Sequence, residues 1–301
     1  MVATGSTGQA PRCAPPDPAP RAPHFSLPPL SCDTHAHVCG PPSRYAYSPA
    51  RIYTPPDALY SSYRAMLDAL SVERAVLVQP SVYGTDNAAL LDALALDPLR
   101  LRGVAVIDAA TPRAELERMH ALGVRGVRCN IVDVKEGQGR LPLAQLHALA
   151  KLIRPLGWHL EFLMHVDEFP ELDQLLADFP VDVVFGHLGY MRPELGIDTP
   201  GYAALLRLLR GGRAWVKLTG PYRISGQALP YTDVTPFAHA LIDAAPQRIV
   251  WGSDWPHVMV KGAMPNDGDL CDLLARWVPD AAARQQVLVS NPARLYGFSP
   301  A

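Results

Sequence analysis

The sequence predicts an α/β fold, a TIM-like (β/α)8 barrel in a single domain with a flexible N-terminal extension. The 301 residues suit this architecture, because such barrels need about 250 residues before extensions are added. Short β-branched runs alternate with longer segments of helical period, as expected for repeated β-α units around a parallel sheet. No G-x-G-x-x-G turn follows an early strand, which disfavours an open nucleotide-binding sheet.

Eight segments have the length and apolar content of buried strands. They are residues 30–34, 75–79, 103–107, 126–131, 159–164, 181–186, 214–219 and 248–252. Six segments between them have apolar residues at helical spacing, as helices that cover a barrel should. They are residues 58–70, 114–122, 143–153, 169–178, 202–209 and 236–244.

Residues 1–28 have a different composition from the rest of the chain, rich in Pro, Ala, Gly and Ser. Such a segment buries little apolar surface and does not offset the entropy of ordering. We therefore predict a flexible extension over residues 1–28, which can pack over the barrel, and the barrel itself over residues 29–301.

The charge balance and the lengths of the apolar runs argue against some partners and locations. The formal net charge is -2, and both signs are scattered, so the sequence predicts neither nucleic-acid binding nor a polybasic membrane contact. The apolar runs are far shorter than the roughly 20 residues of a membrane span. No basic cluster precedes an apolar core at the N-terminus, so we predict a cytoplasmic protein rather than an exported one.

The five cysteines are an odd number and show no C-x-x-C spacing. This argues against a disulfide framework or a structural zinc site, and predicts reduced thiols. The residues are Cys13, Cys32, Cys39, Cys129 and Cys271.

The first predicted strand is followed by two histidines, His35 and His37. Side chains alternate along a strand, so the two imidazoles point to the same side, with backbones about 6.6 to 7 Å apart. His187 follows the sixth strand and Asp254 the eighth. Active sites of these barrels lie where strands end on the C-terminal face. The sequence therefore predicts a site containing all four residues, with structural histidines as the alternative.

Several segments together resemble the amidohydrolase superfamily, and within it a group of lactonases that act on pyrone dicarboxylates and sugar lactones. They are DTHAHV at 33–38, QPSVYG at 79–84, GVRGVRCN at 123–130, FGHLG at 185–189, WVKLTGPYRIS at 215–225, GSDWPH at 252–257 and NPARLYGF at 291–298. The resemblance covers residues 30–298 and implies a hydrolase.

The resemblance also raises the question of a metal. Members of the superfamily usually hold one or two divalent ions that activate water. A two-metal site needs a carbamylated lysine on the fourth strand, where this chain has Arg128, Cys129 and Asn130. One zinc bound by His35, His37, His187 and Asp254 stays an alternative, with His165 as a further candidate after the fifth strand. We predict no cofactor, as the resemblance to the pyrone-dicarboxylate lactonases implies.

Arg128 lies in the fourth predicted strand and Arg223 follows the seventh, and both can point over the barrel mouth. A guanidinium binds carboxylates bidentately, so both are predicted to grip an anionic substrate. Pairing with a nearby acidic side chain is the alternative for each. Other candidate substrate contacts lie in the loops. They are Ser81, Tyr47, Tyr83, Arg140 and His257.

These residues, together with the resemblance to the lactonases, predict hydrolysis of a carboxylated lactone. Asp254 would act as the general base on water, while His35, His37 and His187 hydrogen-bond the carbonyl. Two alternatives stay open: a mononuclear zinc hydrolase or nonoxidative decarboxylase, and a barrel that binds a metabolite without catalysis. The sequence leaves the exact substrate and the oligomeric state undecided.

Overall fold

In a computed structural model, which describes residues 10–132 and 140–299, eight parallel strands form one nearly closed barrel in the order β1 to β8. Each strand pairs with the strand that follows it in the chain, as the β-α alternation predicts. The strands are β1 Cys32–Ala36, β2 Arg74–Val78, β3 Leu101–Ala105, β4 Val124–Asn130, β5 His159–Leu163, β6 Val183–Phe185, β7 Ala214–Leu218 and β8 Ile249–Trp251.

Helices surround this barrel and bury their apolar faces against it. They are α1 Tyr60–Leu70, α2 Ala88–Leu96, α3 Arg113–Ala121, α4 Leu143–Ile153, α5 Leu172–Leu175, α6 Pro200–Arg210, α7 Thr235–Ala244, α8 Asp267–Trp277, α9 Ala281–Gln285 and α10 Asn291–Tyr296. A π-helical segment, Gln286–Ser290, joins the last two.

All eight predicted strands exist, with small shifts at their ends. The first begins at Cys32, two residues later than predicted, because Leu30 lies in a turn with a φ of 63°. A hydrogen bond from the Ser31 N–H to Pro28 O closes this turn. The helix predicted over residues 169–178 is wrong in length, since only Leu172–Leu175 is α-helical. Helix α2 had no clear periodic signal because its sequence is apolar nearly all round.

The segments that follow β1 and β8 are joined to each other by backbone hydrogen bonds. The His37 N–H donates to Trp255 O at 2.8 Å, and the Asp254 N–H donates to His35 O at 2.8 Å. These bonds join the segment that carries both histidines of the first strand to the segment that carries Asp254. The closure of the barrel therefore places the ends of the first and last strands side by side.

A buried carboxylate, Asp33, strengthens this junction. Its Oδ1 accepts hydrogen bonds from the backbone N–H groups of His35 and Ser253, at 3.0 and 2.9 Å. Its Oδ2 accepts from Ser253 Oγ at 2.5 Å and from Tyr63 Oη at 2.8 Å. Burial raises the pKa of Asp33 to about 6, although all four donors act in the opposite direction.

The described part of the N-terminal extension contacts the barrel. Cys13 N and Thr54 O are 2.9 Å apart, and Arg21 N donates to Asn266 Oδ1 at 3.0 Å. His24 N donates to Asp272 of helix α8 at 2.7 Å. Residues 10–28 thus follow the surface near the β8–α8 loop, and the division into extension and barrel stays a prediction.

Two other predictions from composition can be compared with the structure. All five cysteines are free thiols, in agreement with the absence of C-x-x-C spacing. Among residues 10–132 and 140–299, no helix is long and apolar enough to span a bilayer.

Candidate active site

A cavity of about 240 Å³ opens at the C-terminal ends of the strands. Its lining includes His37, Arg128, His187 and Arg223, four residues that the sequence assigned to the site. This is the face on which barrels of this class carry their chemistry. The structure therefore brings together side chains that are far apart in the chain.

His35, His37, His187 and Asp254 converge below this cavity. The ring of His35 lies 5.0 Å from that of His37 and 5.1 Å from that of His187, centroid to centroid. Asp254 Oδ1 lies 3.7 Å from His35 Nε2 and 3.8 Å from His37 Nε2. All four side chains are buried. The predicted convergence of three imidazoles and one carboxylate is thus present in the fold.

Close packing around the carboxylate depends on Gly220, which follows β7. A Cβ atom there would lie 2.7 Å from His187 Nδ1 and 2.9 Å from Asp254 Oδ2. The glycine also has a φ of +57°, which L side chains rarely adopt. A side chain at this position would therefore push apart the groups that form the site.

One oxygen of Asp254 is already used by protein donors. Oδ2 accepts from Arg223 Nε at 2.5 Å and from the Tyr222 hydroxyl at 2.6 Å. Burial is the largest single effect and would raise the pKa of Asp254, but the charge of Arg223, the nearby imidazoles and the hydrogen bond from Arg223 together outweigh it. The pKa consequently stays well below its usual value, and the carboxylate is ionised at neutral pH.

The second oxygen of the same carboxylate has no protein partner. Within the described residues, Asp254 Oδ1, His35 Nε2 and His187 Nδ1 are buried and make no hydrogen bond. A buried polar atom without a partner costs free energy unless water or a ligand satisfies it. A water molecule or ligand between them would satisfy these three atoms.

His37 is held in one tautomer by its surroundings. Its Nδ1 lies 2.7 Å from Val78 O, and a carbonyl only accepts, so the ring proton is on Nδ1. Burial is the main cause that lowers the pKa of His37 to about 4, so the ring is neutral near pH 7. Its Nε2 then presents a lone pair to the site. This differs from the expectation that all three histidines donate to a carbonyl.

A charged pair lies inside the barrel, Lys217 of β7 and Glu161 of β5, and neither residue is among the sequence-predicted site residues. Lys217 Nζ lies 2.7 Å from Glu161 Oε2, and both side chains are buried. The only signal was a charged residue within each of the strand sequences AWVKL and HLEFL. A buried charge is stable only with a partner, so each should have indicated a functional contact.

The spacing of donor atoms also allows a metal. One atom each from His35, His37 and Asp254 lies within 4.8 Å of the others, so the cluster could hold an ion. A metal-bound imidazole normally donates its other ring N–H to an acceptor, as His37 does to Val78. His35 Nδ1 has two neighbours at 3.3 Å, the cationic Lys217 Nζ in hydrogen-bond geometry and Glu161 Oε1 at ion-pair distance. The Lys217 contact favours a lone pair on His35 Nδ1, and this disfavours a metal on the other ring nitrogen.

The predicted substrate contacts divide into two groups. Ser81 lines the cavity, and Arg128, also in its wall, donates to Gln79 O at 2.8 Å. Tyr47 and Tyr83 instead pack against each other, with ring centroids 5.3 Å apart. They belong to a small apolar cluster beside the cavity.

Three further candidates have other surroundings. His257 is fully buried, between the Tyr222 hydroxyl at 2.9 Å and Asp267 at 3.1 Å. Arg140 is exposed. His165 has its Nδ1 2.8 Å from Tyr190 O, and its ring packs against that of Tyr190 with centroids 4.6 Å apart. Tyr53, which the sequence analysis missed, lines the cavity.

The sequence pattern of the amidohydrolase family matches residues 32–298. The chain belongs to the amidohydrolase family. The matched range contains the whole barrel, including every residue of the imidazole and carboxylate cluster. The resemblance inferred from the strand-end segments is confirmed.

Relatives of this amidohydrolase include enzymes named for lactones. A 4-sulfomuconolactone hydrolase of Rhizobium radiobacter is 38% identical over 91% of this chain and 92% of the relative. A 2-pyrone-4,6-dicarboxylate hydrolase of Comamonas testosteroni is 38% identical over 92% of this chain and 93% of the relative. A probable 2-pyrone-4,6-dicarboxylic acid hydrolase of Acinetobacter baumannii, solved with citric acid bound, is 30% identical. The match to that structure covers 89% of this chain and 100% of the other chain, with a TM-score of 0.78.

Proposed function

We propose that this amidohydrolase opens the ring of a small lactone that carries one or more anionic groups. The observation that carries the proposal is the free oxygen of Asp254, which is buried, ionised and 3.7 and 3.8 Å from the two nearest imidazole nitrogens. These separations leave a water molecule within reach of the carboxylate. The names of the relatives support a lactone as the substrate.

In the proposed mechanism Asp254 Oδ1 removes a proton from water as the water oxygen bonds to the lactone carbonyl carbon. The carbonyl oxygen gains the electron pair of its π bond, and His35 and His187 donate hydrogen bonds to it. His37, whose Nε2 has a lone pair, accepts from the same water. The tetrahedral species then breaks its bond to the ring oxygen, which takes the proton held by Asp254.

The cationic residues of the cavity suit an anionic substrate. Arg128 and Arg223 both lie in its wall, and Arg223 still has donors beyond the Nε that contacts Asp254. A carboxylate or sulfonate of the substrate would bind these guanidinium groups. We assign the main contact to Arg128, because Arg223 already holds the base.

We further propose that the reaction needs no metal and that the enzyme works in the cytoplasm. A mononuclear zinc hydrolase or a decarboxylase of the same family is the second candidate, since the donor atoms of His35, His37 and Asp254 are close enough to share an ion. The contact of Lys217 with His35 is the reason to rank it second. A barrel that binds a carboxylated metabolite without turnover is the third.

The direct test measures ring opening of 2-pyrone-4,6-dicarboxylate and 4-sulfomuconolactone by loss of ring absorbance. Enzyme treated with a chelator, with metal content measured on the same batch, should turn over at least one lactone at an unchanged rate. Activity that disappears with the chelator and returns with zinc would support the second candidate. Binding of both lactones without any ring opening would support the third.

A further inference from the structure

One buried ammonium group contacts the first histidine of the site from inside the barrel. Lys217 has no exposed surface, and its Nζ donates to Thr34 O at 2.7 Å. The same Nζ lies 2.7 Å from Glu161 Oε2 and 3.3 Å from His35 Nδ1. Thr34 O and the imidazole thus accept hydrogen bonds from Nζ, and Glu161 balances its charge at ion-pair distance.

This contact determines the position of the proton on His35. A charged lysine ammonium group only donates hydrogen bonds, so His35 Nδ1 must accept with its lone pair. Glu161 Oε1 is also 3.3 Å from Nδ1, but this contact has only ion-pair distance, whereas the contact with Lys217 has hydrogen-bond geometry. A neutral ring that accepts at Nδ1 carries its proton on Nε2, the atom that faces the site.

The neighbouring histidine is in the opposite state. Val78 O fixes the proton of His37 on Nδ1, so its Nε2 faces the same site as a lone pair. Two imidazoles that are two residues apart in the chain, with rings 5.0 Å apart, thus present a donor and an acceptor. Water attack on a carbonyl needs both, a donor to the oxygen that becomes negative and an acceptor for the water.

We propose that Lys217, held by Glu161, is a positioning residue that makes His35 a hydrogen-bond donor to the lactone carbonyl and opposes metal binding at the site. The inference rests on the proposed function for the identity of the acceptor. A metal would require the lone pair of His35 Nε2, and the protein places a proton there instead. Removal of Lys217 should therefore weaken catalysis and strengthen binding of zinc.

The first experiment uses the unmodified enzyme. Long-range proton–nitrogen correlation spectra of nitrogen-15-labelled histidine rings distinguish the two neutral tautomers, and the variants His35→Gln and His37→Gln assign the signals. We expect His35 to carry its proton on Nε2 and His37 on Nδ1. A His35 ring with its proton on Nδ1 would overturn the proposal, whatever the activity.

The second experiment changes the buried pair together, because one buried charge left alone is strongly destabilising. In the double variant Lys217→Met with Glu161→Gln, His35 can donate from Nδ1 to the amide oxygen. We expect kcat to fall by about 100-fold, as for loss of an oxyanion donor, with KM changed much less. The His35 signals should move to the other tautomer, and calorimetry should show tighter zinc binding than the unmodified enzyme.

A matched control is Lys151→Met on the exposed side of helix α4, which leaves the buried pair in place and should keep the His35 tautomer. Unchanged kcat, tautomer and zinc affinity in the folded double variant would overturn the proposal. Different results would contradict the tautomer assignment and the proposed function. If His35 has its proton on Nε2 but no lactone is opened, the proposed function is wrong and the tautomer assignment stands.

Discussion

Arg223 donates from its Nε to the Oδ2 oxygen of Asp254 across 2.5 Å. The pairing holds the pKa of Asp254 well below its usual value and raises that of Arg223, although burial acts against both charges. It also occupies one carboxylate oxygen and leaves the other directed at the imidazoles. Arg223 was predicted to bind substrate, with pairing to an acidic side chain as the alternative. It does pair with Asp254, and this keeps the proposed general base ionised.

Replacement of Arg223 by glutamine should move the acid limb of kcat/KM to higher pH. The proposed base works only when ionised, so activity is lost as the pH falls through the pKa of Asp254. Without the arginine that pKa rises, and the loss begins at a higher pH. A kcat/KM profile between pH 4 and pH 9 measures the shift. The exposed Arg276→Gln variant serves as control, and coincident profiles for all three enzymes would contradict the role of Arg223.

Replacement of Asp254 by asparagine should lower kcat by about 10²- to 10⁴-fold, the usual contribution of a general base. The amide keeps the shape of the side chain but does not take up the proton. Steady-state rates on 2-pyrone-4,6-dicarboxylate give the measurement, with the exposed Asp243→Asn as matched control. Turnover equal to that of the control would exclude Asp254 as the base.

Replacement of Arg128 by glutamine should raise KM for a dicarboxylate lactone by about 10- to 100-fold with a smaller change in kcat. A hydrogen bond to a charged group contributes about 1.5 to 3 kcal/mol. Neutral 2-pyrone lacks the carboxylates, so its kinetics should be unaffected by the change. An equal loss on both compounds would mean that Arg128 maintains the fold of the site rather than binding the anion.

The stability of the enzyme should fall as the pH drops from about 6.5 to about 4, partly because of His159. Burial lowers the pKa of this histidine to about 4, so the unfolded chain takes up a proton in this range and the folded chain does not. The contribution is at most about 1.4 kcal/mol per pH unit. Urea unfolding of His159→Gln should show a shallower dependence, whereas the exposed His239→Gln should match the unmodified enzyme.

Loss of the Tyr63 hydroxyl should destabilise the junction between β1 and β8. The variant Tyr63→Phe removes a donor from the buried carboxylate of Asp33, at a cost of about 1 to 3 kcal/mol. Denaturant unfolding at pH 7 measures the change. The variant Tyr60→Phe loses a longer, partly buried hydrogen bond to Asp97 and should cost less. A reversed order would mean that Asp33 is satisfied without Tyr63.

Much of the fold could be predicted because its signals are local. Alternation of apolar strands with helical segments is a property of consecutive residues, and it identified all eight strands. Helix α5 was predicted too long. Helix α2 was not identified, because periodicity measures amphipathic character and its sequence AALLDALAL has little of it. Where the pattern was weak, packing against the barrel decided the helix.

The amino-acid sequence by itself determined that His35, His37, His187 and Asp254 share one face, because in a parallel barrel every strand ends at the same rim. Only the tertiary structure decided what each group can do there. Lys217 and His35 are separated by 182 positions in the chain and meet at 3.3 Å inside the barrel. The location of a proton on an imidazole depends on such a contact across the barrel, and no local pattern of residues specifies it.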